Sequence, residues 1–183
     1  TGKGDKPMEE LDLAVIAGRI SRTFQDETIK KGIHFTINAP SDLPIIRGDS
    51  LAIEQMIENL VSNAVKYTFS GGKVNLDFSA DSEEKIRIEI SDNGIGIPQE
   101  DQERLFSEFF RAQNAKEVEE LGTGLGLVIV KEIVEQHMGQ VTSIAKKASA
   151  RPSRFTCPSL ERSRKMNGAP CPQAEGSAFI SDE

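Results

Sequence analysis

Two asparagines and a lysine are spaced to share one side of a helix. Asn59 and Asn63 are four positions apart, and Lys66 follows three positions later, so an α-helix places them on one stripe, within roughly 60° of each other. A carboxamide oxygen can bind magnesium without adding negative charge, while an ammonium can contact phosphate. The spacing is compatible with a magnesium and phosphate site, although an ordinary solvated helix face has the same pattern.

A carboxylate followed by two glycines ends a predicted strand. The segment Ile86–Asp92 alternates isoleucines with other residues, so the period of two places Asp92 on the face of the isoleucines. A carboxylate there can accept a hydrogen bond from the exocyclic amine of adenine, and Gly94 and Gly96 would let the backbone approach a flat base. The same segment is also typical of a simple turn, which stays open as the alternative.

A glycine-rich segment, GTGLGL at 122–127, precedes an apolar stretch that predicts a helix. Free amides and the positive end of the helix dipole attract phosphate at such a position. The segment has no GK[ST] sequence, which excludes a P-loop. It also differs from the GxGxxG spacing of dinucleotide-binding proteins, and it follows an acidic loop instead of a strand. Alone, it is weak evidence for a phosphate-binding loop.

The elements that carry these residues follow from apolar periodicity. Apolar residues three to four apart predict a helix over about 13–30, a second from 49 or 50 to before 70, and a third from the glycine-rich segment to 137. Alternation predicts strands around 33–37, 74–78 and 86–92, the last two forming a hairpin. This order predicts an α/β (α+β) two-layer sandwich, in which helices cover one face of a mixed sheet.

The polar segment from 98 to 121 separates the hairpin from the third helix. It holds one predicted helical patch around Leu105, Phe106, Phe109 and Phe110, and it ends in acidic residues. We expect a mobile segment of a kind that orders when a ligand binds.

Taken together, four segments resemble the ATP-binding domain of sensor histidine kinases, a branch of the GHKL superfamily. They are similar, in the same order, to its N box, first glycine box, F box and second glycine box: NLVSNAVKYT at 59–68, SDNGIGIP at 91–98, LFSEFFRA at 105–112 and GTGLGL at 122–127. The resemblance covers roughly residues 8–141. It extends to LDLAVIAGRI at 11–20, KGIHF at 31–35 and GDSLAIEQMIENL at 48–60.

The resemblance implies a Bergerat-type fold that binds ATP and Mg²⁺. Asn63 would be the magnesium ligand, Asp92 would read adenine, and the glycines at 94 and 96 would admit the base. The segment 98–121 would be the ATP lid, whose aromatic residues position it or only fold it, and Arg111 is a candidate phosphate contact. The other residues implied to line the nucleotide are Asn59, Lys66, Tyr67, Ile97, Gly122, Thr123, Gly124, Leu125, Gly126 and Leu127.

The residue at position 59 favours phosphoryl transfer over hydrolysis. Hydrolysing relatives of this fold, such as DNA gyrase and MutL, use a glutamate where this chain has Asn59. An amide cannot take a proton from water, and Glu58 points about 100° away on a regular helix. We therefore predict a protein-histidine kinase domain that transfers the γ-phosphoryl of Mg-ATP and has no acid or base residue of its own. A hydrolysing ATPase and a nucleotide-binding interaction module without phosphotransfer are the alternatives.

Neither histidine lies in the acceptor context HE[LI]RTP of that family. His34 falls in a predicted strand and His137 at a helix end, so both are predicted to be structural or surface residues. The resemblance then implies that the acceptor histidine lies on a dimerisation domain of the same parent protein, with a response regulator as a further partner. Residues 1–10 would be a remnant of the linker from that domain, and 11–141 the kinase domain.

Charge and hydropathy exclude several other classes. The chain has 183 residues, 22 of them basic and 29 acidic, and a net charge of −7. Without a lysine and arginine block, binding to nucleic acid is not expected. No apolar stretch approaches the roughly 20 residues of a membrane span, so we expect a cytoplasmic chain whose parent can still be membrane-anchored.

The two cysteines of the chain are expected to be free thiols, with a disulfide as the alternative.

The last part of the chain does not continue the pattern. Residues 142–183 hold four of the eight prolines, and we expect a non-native or disordered tail, so that the sheet lacks its native last strands. The related domains end near a GSTF-type sequence. A frameshift near residue 142 is one hypothesis, because shifted codons for 144–158 permit SEEGVGSTFTFYLP; a disordered natural extension is the alternative.

Overall fold

The structure, a computed structural model, describes residues 8–82, 85–119, 122–144 and 153–161. Among these it has a 3₁₀ helix at Gln99–Arg104. The other elements, in chain order, are β1 (Glu9–Leu11), α1 (Leu13–Lys31), β2 (His34–Asn38), β3 (Ile46–Gly48), α2 (Ser50–Tyr67), β4 (Lys73–Ser82), β5 (Lys85–Asp92), α3 (Gln113–Val118), α4 (Gly126–Gln136), β6 (Thr142–Ile144) and β7 (Ser153–Glu161).

Five of the strands form one mixed sheet in the order β2-β4-β5-β7-β6. The β2–β4 pair is parallel and the other pairs are antiparallel, while β1 and β3 form a separate two-stranded ladder. Helix α2 packs on β4 and β5, α1 packs on β2 and α2, and α4 packs on α2. The predicted sandwich of helices against a mixed sheet is confirmed. Within the described residues, none of the helices has the length and apolar character needed to cross a bilayer.

The core lies between these two layers, where β4 and β5 present alternate side chains to the helices. Their six inward apolar side chains are at most 1% exposed: Val74, Leu76, Phe78, Ile86, Ile88 and Ile90. Burying each such side chain stabilises the fold by roughly 1.5–3 kcal/mol. Asp92 follows on the same face and is 7% exposed, so the predicted position of this carboxylate at the end of a buried row is confirmed.

Helix α2, which carries the predicted magnesium and phosphate residues, is held at both ends. Asp49 is its N-cap, and the Asp49 side chain accepts a hydrogen bond from the Ala52 amide at 3.1 Å. At the other end, Lys31 Nζ donates to the carbonyl oxygens of Val65 and Lys66 at 2.7 and 2.6 Å. An ammonium stabilises the negative end of a helix dipole, so α1 fixes the end of α2 that borders the site.

Both histidines occupy places of the predicted kind. His137, the C-cap of α4, is 5% exposed and hydrogen-bonded, whereas His34 is exposed in β2. The first is therefore structural and the second a surface residue.

The lid segment differs from the sequence-based prediction. The patch around Leu105, Phe106, Phe109 and Phe110 forms turns, not a helix. Phe109 has a φ of 59°, and a left-handed residue ends a right-handed helix. The helical turns lie on either side of this patch, in the 3₁₀ helix and in α3. The predicted lid residues 120 and 121 lie outside the described residues.

Within the segment predicted to be a tail, the backbone of β6 and β7 extends the sheet beyond β5. The prediction that the tail is non-native or disordered stays a prediction. Ser153 pairs with Asp92 and Phe155 with Ile90. Strand pairing uses backbone N–H and C=O groups, which almost any residue supplies. A segment with only a weak apolar alternation can therefore form a strand next to an unpaired edge such as that of β5. Pro158 lies beside a register shift, where a missing N–H is tolerated.

Two residues of the predicted linker remnant 1–10, Glu9 and Glu10, belong to β1, which pairs with β3. The other predictions for the two ends of the chain stay predictions. Residues 1–7, 145–152 and 162–183 lie outside the described residues, and so do the side chains of both cysteines. The frameshift stays a hypothesis about the origin of the tail.

Candidate functional site

A cavity of about 590 Å³ lies between α2, the turn after β5, the lid segment and the start of α4. Ligand pockets in proteins have volumes of this order. Of the fifteen predicted site residues, all but Gly94 line it: Asn59, Asn63, Lys66, Tyr67, Asp92, Gly96, Ile97, Arg111, Gly122, Thr123, Gly124, Leu125, Gly126 and Leu127. The structure thus brings together residues that lie up to 68 positions apart in the sequence.

The carboxamides of α2 meet the start of α4. Asn59 Nδ2 donates to the Gln55 carbonyl at 2.9 Å, which turns Asn59 Oδ1 away from its own helix. A β-carbon added at Gly126 would lie 3.0 Å from that Oδ1 and 3.9 Å from Asn63 Nδ2. Glycine at this position therefore allows α4 to begin directly beside the two carboxamides.

Asp92 places a buried carboxylate in the cavity wall. The Gly94 amide donates to its Oδ1 at 2.9 Å. Burial raises the pKa of Asp92 to about 6, an effect that the Gly94 hydrogen bond partly offsets. At neutral pH the side chain is therefore a charged hydrogen-bond acceptor in largely apolar surroundings.

Gly94 is the one predicted site residue that lies outside the cavity lining. A β-carbon at Gly94 would lie 2.2 Å from the Tyr67 carbonyl oxygen, and the next amide, Ile95 N–H, donates to that oxygen at 3.1 Å. Gly94 thus lets the turn after β5 pack on the end of α2 and does not face the cavity. Gly96, with a φ of 70°, does line it.

The glycine-rich segment lies against the lid. Gly124 has a φ of 70°, and a β-carbon there would be 2.8–2.9 Å from the backbone of Phe109 and Phe110. At Gly122 a β-carbon would be 3.1 Å from the guanidinium carbon of Arg111. This close packing places Arg111 next to the glycine amides at the same end of the cavity.

Asn114 is a site residue that the sequence-based prediction missed. It lies on α3 and lines the cavity, and its Nδ2 donates to the Gly96 carbonyl at 2.9 Å. Because that carbonyl only accepts, Oδ1 must face the other way, where it is buried without a hydrogen-bond partner in the described structure. The only sequence signal is a polar residue soon after the F box, which is common in loops; the contact itself is tertiary.

The donor set suits a magnesium ion that arrives on a phosphate ligand. Within the described residues there is no group of three or more histidine, cysteine, aspartate or glutamate side chains that could hold a metal, and Asp92 is the only acidic residue among those lining the cavity. Magnesium commonly takes one or two protein oxygens and completes its shell with phosphates and water. The carboxamide of Asn63 fits that requirement.

The fold is a mixed sheet packed against helices. Carboxamides, a glycine-rich helix start and a buried carboxylate surround one cavity. Together, these features define a nucleotide-binding domain. A family model described as "Histidine kinase-, DNA gyrase B-, and HSP90-like ATPase" matches residues 48–164. The chain belongs to this family and, within it, to the ATP-binding catalytic domains of sensor histidine kinases.

Individual relatives agree with that placement. The adaptive-response sensory kinase SasA of Thermosynechococcus vestitus is 37% identical over 149 residues, which cover 81% of this chain and 39% of the relative. The catalytic domain of histidine kinase ThkA superposes with a TM-score of 0.73 at 25% identity, covering 86% of this chain and 99% of the other. ThkA in complex with the response regulator protein TrrA gives a TM-score of 0.67 at 24% identity, with coverages of 85% and 42%. The chain thus spans well under half of the length of SasA.

Proposed function

We propose that this chain binds Mg-ATP in the cavity and donates the γ-phosphoryl group to a histidine on a separate dimerisation domain of the same parent protein. One observation carries the proposal. The cavity joins the carboxamides of α2, the glycine-rich start of α4 and buried Asp92, but it has an amide, Asn59, where hydrolysing members of the superfamily use a glutamate.

The end of the cavity at β5 suits the adenine ring. Asp92 offers a charged acceptor for the exocyclic amine, and a donor left without this acceptor would cost binding energy. Ile95 and Ile97 give the same wall apolar surface, and Gly96 keeps its backbone free of a side chain. These residues would select a flat, amine-bearing base.

The opposite end suits the triphosphate. Lys66 and Arg111 supply positive charge, and the amides at 122–126 lie at the positive end of the 11-residue helix α4. Asn63 would hold the Mg²⁺, which neutralises phosphate charge when it is bound. Phosphoryl transfer depends mainly on such positioning and charge stabilisation, and this chain offers both.

The fate of the phosphoryl group depends on which nucleophile can attack. Among the described residues lining the cavity there is no glutamate to activate water, and Glu58 is not one of them. A neutral imidazole nitrogen needs no base, because its lone pair can form the N–P bond directly while the bond to the bridging oxygen of ADP breaks. The site therefore favours transfer to histidine over hydrolysis.

The partners and boundaries of the domain belong to the same proposal. We propose that the acceptor histidine lies outside this chain, because the two histidines of this chain are a buried structural residue, His137, and a surface residue of a strand, His34. A response regulator would then take the phosphoryl group onward, and the ThkA–TrrA complex supports this partner class. The proposed bounds are 11–141 for the kinase domain and 98–121 for its lid, and the strands β6 and β7, which follow residue 141, extend the sheet of this domain.

Calorimetry with Mg-ATP followed by mixing with a dimerisation domain and γ-labelled ATP tests the proposal. We expect binding, an acid-labile label on the partner histidine, and no label when that histidine is replaced by glutamine. Asn63→Ala should abolish transfer, whereas Gln55→Ala, an exposed residue of the same helix, should not. Steady phosphate release would instead indicate a hydrolase, and binding without transfer would indicate an interaction module.

A further inference from the structure

One residue of the lid contacts both cations of the phosphate end. Glu119 follows α3, and its Oε2 lies 3.7 Å from Lys66 Nζ. Its backbone carbonyl accepts a hydrogen bond from the Arg111 guanidinium. Lys66 and Arg111 both line the cavity, but Glu119 does not. An acidic residue at the rim thus engages the two side chains that the proposed function assigns to phosphate.

The carboxylate contact is of a kind that a ligand can replace. The side chains of Lys66 and Glu119 are 30% and 39% exposed, and ion pairs with this exposure are weak. A polyphosphate offers several charged oxygens to the same ammonium and forms stronger, charge-assisted hydrogen bonds. The Lys66 ammonium cannot bind the Glu119 carboxylate and a phosphate equally well at the same time, because the two anions would lie next to each other and repel.

We propose that Glu119 is an internal competitor for the phosphate site: its carboxylate holds Lys66 at the rim until the phosphates of a nucleotide replace it. This inference rests on the proposed function, since it needs Lys66 to contact phosphate. Glu119 is then a specificity residue that lowers the affinity for polyphosphates and leaves the binding of the base unchanged. The Arg111 contact uses the backbone carbonyl, so it persists when the Glu119 side chain is changed.

The test compares two isosteric substitutions on the lid. Glu119→Gln removes the competing charge, and Glu117→Gln removes an equal charge from an exposed residue of α3. Binding of Mg-ATP, Mg-ADP and adenosine to the full chain is measured by calorimetry. We expect Glu119→Gln to bind Mg-ATP about two- to fivefold more tightly, the range that an exposed ion pair allows. Adenosine should bind equally to all variants, and Glu117→Gln should remain close to the unsubstituted chain.

A second comparison assigns the effect to Lys66. In a Lys66→Gln background the gain from Glu119→Gln should disappear, because the ammonium that both anions share is gone. The inference is overturned if the two glutamate variants bind Mg-ATP equally, if adenosine gains as much as Mg-ATP, or if the gain survives without Lys66. A chain that binds none of the three ligands would instead contradict the proposed function, so the two failures are distinguishable.

Discussion

The backbone N–H of Asp49 donates a hydrogen bond of 3.0 Å to the Nε2 atom of His137. Because Nε2 accepts, the proton of the neutral ring must be on Nδ1, which lies 2.7 Å from the Ile133 carbonyl oxygen. A buried imidazole thus joins the end of α4 to the N-cap of α2. The helix that begins with the glycine-rich segment is tied in this way to the helix that carries the carboxamides.

Replacing His137 by alanine should destabilise the fold. The substitution removes the hydrogen bond from the Asp49 amide to the ring. It also opens a cavity beneath Gly48, where an added β-carbon would touch the ring at 3.1 Å. We expect a loss of about 2–4 kcal/mol in the free energy of unfolding, measured with urea. His34→Ala, on the exposed side of β2, should change it by less than about 0.5 kcal/mol. Equal effects of the two substitutions would contradict the role given to His137.

Binding of adenosine should depend on pH through Asp92. With a pKa of about 6, this side chain is charged at neutral pH and becomes protonated as the pH falls. A neutral carboxyl is a weaker acceptor for the exocyclic amine, so the affinity should fall by up to about tenfold one unit below the pKa. Calorimetry between about pH 5 and 8 measures this; a flat profile would contradict it. The Asp92→Asn variant should bind weakly at every pH.

The same carboxylate should cost stability at neutral pH. Its folded-state pKa, about 6, lies above the ordinary value of 3.8. The folded chain therefore binds more protons between these values, and the free energy of unfolding falls as the pH rises from about 4 to about 6. Asp92→Asn keeps an acceptor for the Gly94 amide and removes the buried charge, so it should be more stable at pH 7, by on the order of 3 kcal/mol.

Urea unfolding of both proteins at about pH 4 and pH 7 checks this prediction. The difference between them should be small at the lower pH, where the native carboxyl is already neutral. Asp77→Asn, on the half-buried side of β4, is the matched control and should show little gain. If Asp92→Asn is less stable than the unsubstituted chain at pH 7, the buried carboxylate does not lower the free energy of unfolding, and the prediction is wrong.

Two glycine-to-alanine substitutions should act in opposite directions. At Gly94 the added carbon would lie 2.2 Å from a backbone oxygen of Tyr67, so we expect a loss of at least about 2 kcal/mol. At Gly18, inside α1, nothing lies within 4 Å of the added carbon, and alanine should stabilise the helix by about 1 kcal/mol. Thermal melts of both variants compare them directly. A neutral Gly94→Ala would show that the turn does not pack on α2.

Local patterns predicted most of the elements that position the cavity. Each of the three long helices, α1, α2 and α4, buries one stripe of apolar side chains, and each of the strands β4 and β5 buries one apolar face. The sequence shows this periodicity directly. Asp92 could be placed on the buried face for the same reason. The stripe of Asn59, Asn63 and Lys66 on α2 follows from helix geometry alone.

The parts that could not be predicted depend on contacts between distant segments. Phe109 adopts its left-handed conformation where the backbone of Gly124 packs against it, and no spacing within the F box reveals this. Asn114 is recognisable only through its hydrogen bond to Gly96. Gly94 has the sequence context of a base-contacting glycine, but its neighbour is the end of α2. The strands β6 and β7 form by backbone pairing at the edge of β5, for which the side-chain pattern gave little signal.

Helix α2 buries Ile53, Ile57 and Leu60 in the core and presents its polar stripe to the cavity, so one rigid element is shared by the hydrophobic interior of the sandwich and its binding surface. A molecule that binds only this native arrangement shifts the unfolding equilibrium of the entire sandwich. At one hundred times its Kd it would add about 2.7 kcal/mol. A simple thermal-shift assay can therefore rank nucleotides on this protein without any partner or any turnover.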